Sequence, residues 1–129
     1  MATIKRFEDL ECWQLAREVC QKIDSIIKTT DLIRNYKLRD QIDASSGSTM
    51  DNISEGFGRL GNKEFCHFLT IASGSCNETQ SQLYRILDKG IIDQHKFDEI
   101  YNLISTCRVK IMNLLEYLQK CEERGVKFR

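Results

Sequence analysis

The chain has 129 residues, enough for one domain with a real hydrophobic core and too few for two ordinary ones. Nineteen Lys and Arg balance nineteen Asp and Glu, so the broad positive field that usually drives nucleic-acid binding is excluded and any basic surface must be local. There is no proline, and 29% of residues are charged, a composition that favours long uninterrupted helices over strands joined by tight turns.

The opening residues lack the apolar run of a signal peptide, and no later segment approaches the ~20 apolar residues of a membrane span, which predicts a cytoplasmic protein. Cys12, Cys20, Cys66, Cys76, Cys107 and Cys121 include no Cys-x-x-Cys and no close pair. Most fall on apolar helical positions, which points to reduced thiols packed as small hydrophobes.

In chain order, Leu10, Trp13, Ala16, Cys20, Ile23 and Ile27 recur at steps of three and four, predicting an amphipathic helix over 8–29. Phe7 is placed to staple its start beside a cap at Asp9, and Thr29-Thr30-Asp31 to end it. A second helix over 35–57 carries Leu38, Ile42, Ser45, Thr49 and Ile53. Ala44 to Thr49 has the composition of a flexible linker, but the flanking periodicity and the close approach that small residues allow favour a packed helix. Gly56, Gly58 and Gly61 suit left-handed geometry at the helix end and turn, and Asn62 suits the N-cap of the next helix.

The third helix, over 62–89, carries Phe65, Leu69, Ala72, Cys76, Thr79, Leu83 and Ile86 and ends at Lys89-Gly90. The fourth, over 93–124 and capped by Asp93, places Phe97, Ile100, Ile104, Cys107, Ile111, Leu114, Leu118 and Cys121 in strict three-four alternation, with Tyr101 and Leu115 widening the stripe. Gly125 stops it. Three short connections between four long helices predict an all-α, antiparallel up-down-up-down four-helix bundle forming a single domain over 1–129.

If the hairpin between the second and third helices is centred near residue 60, equal rise on both arms brings Ser46-Gly47-Ser48 to Ser73-Gly74-Ser75. The two Ser-Gly-Ser copies then mark a close helix crossing, within about 10 Å, rather than phosphate-binding loops. The same arithmetic sets Glu78 near Ile42 and within reach of Arg39, predicting an ion pair between helices. Asn52, Glu55 and Glu78 are accordingly candidate structural polar groups.

The search for chemistry yields no catalytic, cofactor or metal set. His67 and His95 are far apart in sequence and match no ligand or triad spacing, so no enzyme activity is expected. Arg59 and Lys63 bracket the hairpin tip, Arg34, Lys37 and Arg39 precede or open the second helix, and Lys120, Arg124, Lys127 and Arg129 sit at the chain end. Arg59, Lys63 and Arg39 are the candidate contacts to nucleic acid or to a protein partner.

The residue order Phe7-Glu8-Asp9-Leu10, Trp13-Gln14, Gln41-Ile42, Asn52-Ile53-Ser54-Glu55-Gly56-Phe57-Gly58-Arg59, Lys63-Glu64-Phe65, Phe68-Leu69, Gly74-Ser75, Glu78 and Gln82-Leu83 resembles one family. It is the bacterial four-helix-bundle family first met as proteins encoded in intervening sequences of large-subunit ribosomal RNA genes, related to the accessory protein of diversity-generating retroelements. The resemblance implies a cytoplasmic, non-enzymatic homopentamer associated with RNA or DNA, or with a protein that processes nucleic acid. Where the family pattern has a pair of arginines after Gln-Ile this chain has Asp43 and Ala44, and in place of isoleucine-proline it has Thr49-Met50. The basic patch is weakened there, and a protein–protein scaffold without nucleic-acid binding is the alternative expectation.

Overall fold

The computed structural model describes residues 4–128, and within them the four expected helices form an all-α four-helix bundle. They are α1 (Glu11–Thr29), α2 (Tyr36–Phe57), α3 (Asn62–Asp88) and α4 (Gln94–Glu123). Each helix packs on its sequence neighbour, and α1 closes the bundle against α4. Ion pairs at both ends of that closing seam, Glu11 to Lys110 at 3.5 Å and Lys22 to Glu99 at 3.1 Å, show that α1 and α4 run antiparallel. Among the described residues no helix is long and apolar enough to cross a membrane.

The start of α1 differs from expectation. Phe7–Asp9 forms a single 3-10 turn, so the cap position falls on Leu10, whose aliphatic side chain cannot accept a hydrogen bond. Phe7 instead packs edge-on against Trp13 with ring centroids 5.0 Å apart. Asn35 caps α2 through the Leu38 amide and Asp93 caps α4 through the Lys96 amide at 2.8 Å, as their short polar side chains allow. Between α1 and α2 another 3-10 turn, Asp31–Arg34, tucks Leu32 fully into the end of the core.

Gly90 and Gly125 adopt positive φ after α3 and α4, where a left-handed residue lets the last carbonyls be satisfied. Gly58 and Gly61 do not: their φ values are -73° and -120°. Gly56 is helical and is needed for space, because a Cβ there would lie 2.7 Å from Phe68 Cβ.

The core lies where the four apolar stripes meet. Ile23, Ile42, Leu69, Leu83, Ile104 and Ile111 are essentially inaccessible, each contributing about 1.5–3 kcal/mol by burial. On α1 the inward arc is wider than one stripe: Cys12, Val19 and Ile26 are buried beside Ala16 and Ile23, whereas Trp13 and Cys20 are half-buried. On α4 Leu115 is buried and Leu114 half-buried, the reverse of a strict heptad. Ile111, Leu118 and Cys121 stay buried on either side, so Leu115 widens the buried arc of the stripe at that turn.

Candidate functional site

The seam between α2 and α3 is polar. Ser48 Oγ and Ser75 Oγ are 2.9 Å apart, so the two Ser-Gly-Ser segments do meet. Asn52 Nδ2 donates to Ser48 Oγ at 3.0 Å and to the Ser48 carbonyl at 2.8 Å, extending the chain of bonds along α2. One layer further from the tip, Thr79 Oγ1 donates to Ser45 Oγ, which donates to Gln82 Oε1 at 2.6 Å. Gln82 Nε2 in turn donates to Glu78 Oε2 at 3.4 Å. Small side chains let the helices approach, and their hydroxyls then find partners across the seam.

Glu78 and Arg39 do not pair. Glu78 is exposed, while Arg39 donates to Asp40 Oδ1 and to the Ile33 carbonyl, both at 3.0 Å, and stacks over the Tyr36 ring. The observed partners, Ser48 with Ser75 and Ser45 with Gln82, sit further from the tip on α3 than equal-rise counting allows. Side chains tilt toward the N-terminus of their own helix, so on an antiparallel pair the tips that meet are displaced by several residues from the backbones that face each other. Arg39 is therefore more than a turn away from Glu78 along the seam.

At the hairpin tip, Arg59 Nη2 donates to Glu55 Oε1 at 2.9 Å and its guanidinium lies 4.9 Å from the centre of the Phe68 ring. The Glu55 expectation thus resolves as a surface ion pair one turn before Arg59. Lys63 is exposed in the first turn of α3, and the shallow depression beside it is also lined by Glu122 and Glu123.

Asn62 does not cap α3. The cap position is Gly61, which offers no side chain, so the amides of the first turn are left without a side-chain acceptor. Freed from that role, Asn62 Nδ2 donates to the Val126 carbonyl at 2.9 Å and Asn62 Oδ1 accepts from the Phe128 amide at 3.3 Å. The clip folds the chain end back over the tip, where Phe128 packs edge-on against both Phe65 and Tyr117. Lys127 is thereby delivered to an open cleft of about 420 Å³ that Arg59, Leu60, Gly61 and Asn62 also line. Arg129 of the chain-end basic group lies outside the described residues.

The structure therefore brings Arg59, Lys63 and Lys127 to one end of the bundle and places Arg39 at the other. Sequence reasoning missed the docked chain end. The available signal was a lone aromatic, Phe128, with Val126, just beyond the helix stop at Gly125.

No match emerges among curated proteins. Among solved structures, a protein of unknown function from the S23 ribosomal protein family of Bacteroides thetaiotaomicron superposes with a TM-score of 0.73 at 21% identity, covering 81% of this chain and 97% of that one. At that identity the likeness shows the fold alone. The family described as 23S rRNA-intervening sequence protein matches residues 8–113, most of the chain, with the first three helices whole and two-thirds of the fourth, and the chain belongs to that family.

Proposed function

We propose that the protein is a non-enzymatic, self-associating cytoplasmic bundle whose hairpin end contacts the phosphates of RNA or DNA. One observation carries this reading: Gly61 and Asn62, at the start of α3 where no side chain caps the helix, line the same cleft as Arg59 and Lys127, and Lys63 follows, exposed, in the first turn. A 27-residue helix presents the equivalent of about half a positive charge at its N-terminus, and its free N–H groups suit phosphate oxygens. These groups are donors and cations, suited to holding an anion rather than to moving a proton. Three cations make a weak site per copy, so avidity from several copies is part of the reading, with five copies implied by the family resemblance.

Equilibrium binding of duplex DNA and single-stranded RNA across a salt series tests it. About three phosphate contacts give a slope of log K against log salt near −2 to −3. Arg59→Glu with Lys63→Glu abolishes binding while the helical circular dichroism signal persists. Binding that ignores salt, or that survives the double reversal, refutes the reading.

The scaffold alternative is favoured by a different observation. Leu60 at the tip is 91% exposed, and Ile71 with half-buried Phe68 continues an apolar strip along the outer side of α3. A solution mass above one chain together with no nucleic-acid affinity selects that reading.

A further inference from the structure

The chain end is turned by one residue and held by another. Gly125, at φ 69°, closes α4 with a pair of end bonds: its amide donates to the Glu122 carbonyl at 3.1 Å, and the Val126 amide donates to the Cys121 carbonyl at 2.8 Å. That motif reverses the backbone and fixes it as far as Val126. Beyond it the hold passes to Asn62, whose side chain donates to the Val126 carbonyl and accepts from the Phe128 amide. The two bonds fall on either side of Lys127 and so restrain both peptide units that flank it, leaving little freedom in its own two backbone dihedrals. A carboxylate at position 62 could accept from the Phe128 amide but could not donate to the Val126 carbonyl; a side-chain amide does both.

The charge placed in this way matters to the hairpin-end cleft. Arg59 is already paired with Glu55 at 2.9 Å, whereas Lys127 has no ion pair among the described residues. Arg59 and the first turn of α3 are carried by packed helices, but Lys127 reaches the cleft on a strap. The strap opens more readily than the core. The bond from Asn62 to Val126 is exposed, Val126 itself is 53% exposed, and Phe128 is half-buried, so water competes for the clamp and few contacts oppose its release.

We propose that Asn62 is the positioning residue of this cleft: it acts through Lys127, clamping the chain end so that the ammonium meets a nucleic-acid phosphate, and the bound phosphate in return holds the chain end down. The assignment rests on the phosphate reading of the cleft given above. Coupling between two equilibria is reciprocal, so the factor by which the docked end strengthens binding is also the factor by which binding stabilises the docked end. The cleft is thus completed as its ligand arrives.

The test uses the full chain with a single-stranded oligoribonucleotide and a DNA duplex, and reads affinity across a salt series together with hydrogen exchange at the Phe128 amide. In the native chain, saturating oligonucleotide should slow that exchange about fivefold or more. Asn62→Ala should weaken binding by the same factor and flatten the slope of log K against log salt by about 0.7–0.9, one phosphate contact. Lys127→Gln should flatten the slope equally while leaving Phe128 exchange in the free chain unchanged, and oligonucleotide should no longer protect its Phe128 amide, which separates coupling from steric cover. The double variant should lose no more than either single one. An unchanged salt slope in Asn62→Ala, additive losses in the double variant, or Phe128 protection that persists in Lys127→Gln overturns the proposal and leaves the phosphate reading standing. A native chain that binds neither oligonucleotide overturns both.

Discussion

Adding one methyl group at Gly56 tests the packing of the hairpin. A Cβ there would lie 2.7 Å from Phe68 Cβ and 3.0 Å from Phe65 Cδ1. Phe68 Cβ is fixed to the α3 backbone, so relief requires the helices to part, and such overpacking costs about 1–3 kcal/mol. Alanine returns about 1 kcal/mol through its better helix propensity, leaving Gly56→Ala less stable by roughly 1 kcal/mol. Gly47 and Gly74 lie on the same two helices, yet a Cβ at either meets nothing within 4 Å. Propensity acts alone there, and Gly47→Ala and Gly74→Ala should each gain about 0.5–1 kcal/mol. Urea denaturation at low protein concentration reads the difference as midpoints displaced in opposite directions with a common slope. A Gly56→Ala chain as stable as the native one, or a Gly47→Ala chain that loses as much as Gly56→Ala, refutes the packing argument.

Asn62→Ala removes both hydrogen bonds that hold the chain end, so amide exchange at Val126 to Phe128 should accelerate while the middle of α3 stays protected; unchanged exchange at the Phe128 amide contradicts the clip. Glu99 is held below the ordinary carboxylate range, chiefly by its hydrogen bond from Lys22. A depressed folded-state pKa contributes stability that is present above the unfolded value, near 4, and is lost as pH falls through the lower folded value. Urea midpoints of the native and Glu99→Gln chains should therefore differ slightly at neutral pH and converge in acid, and a gap that widens toward acid contradicts the assignment.

The four helices were legible because each carries apolar residues at three-four spacing that only one side of a helix can collect, and because Asp93, Gly90 and Gly125 punctuate them by simple backbone chemistry. The Ser48–Ser75 crossing was legible from the repeated Ser-Gly-Ser, but its offset was not. Counting along two backbones ignores the tilt of side chains, and that error created the Glu78–Arg39 pair that the structure lacks. Asn62 was assigned by residue type to a cap that fell one position earlier, and its actual partners lie more than sixty residues away in sequence, where no local pattern points.

The hydroxyl and amide seam between α2 and α3 also bears on how the chain finds one structure. With serine, threonine and glycine where other helices carry leucine, sliding α2 along α3 by a turn would change the buried volume little, so dispersion forces alone discriminate weakly between native and shifted hairpins. Hydrogen bonds do discriminate. A shifted hairpin strands Ser45, Thr79 and Gln82 away from one another in a dry interface, which makes it a shallow trap rather than a competing fold.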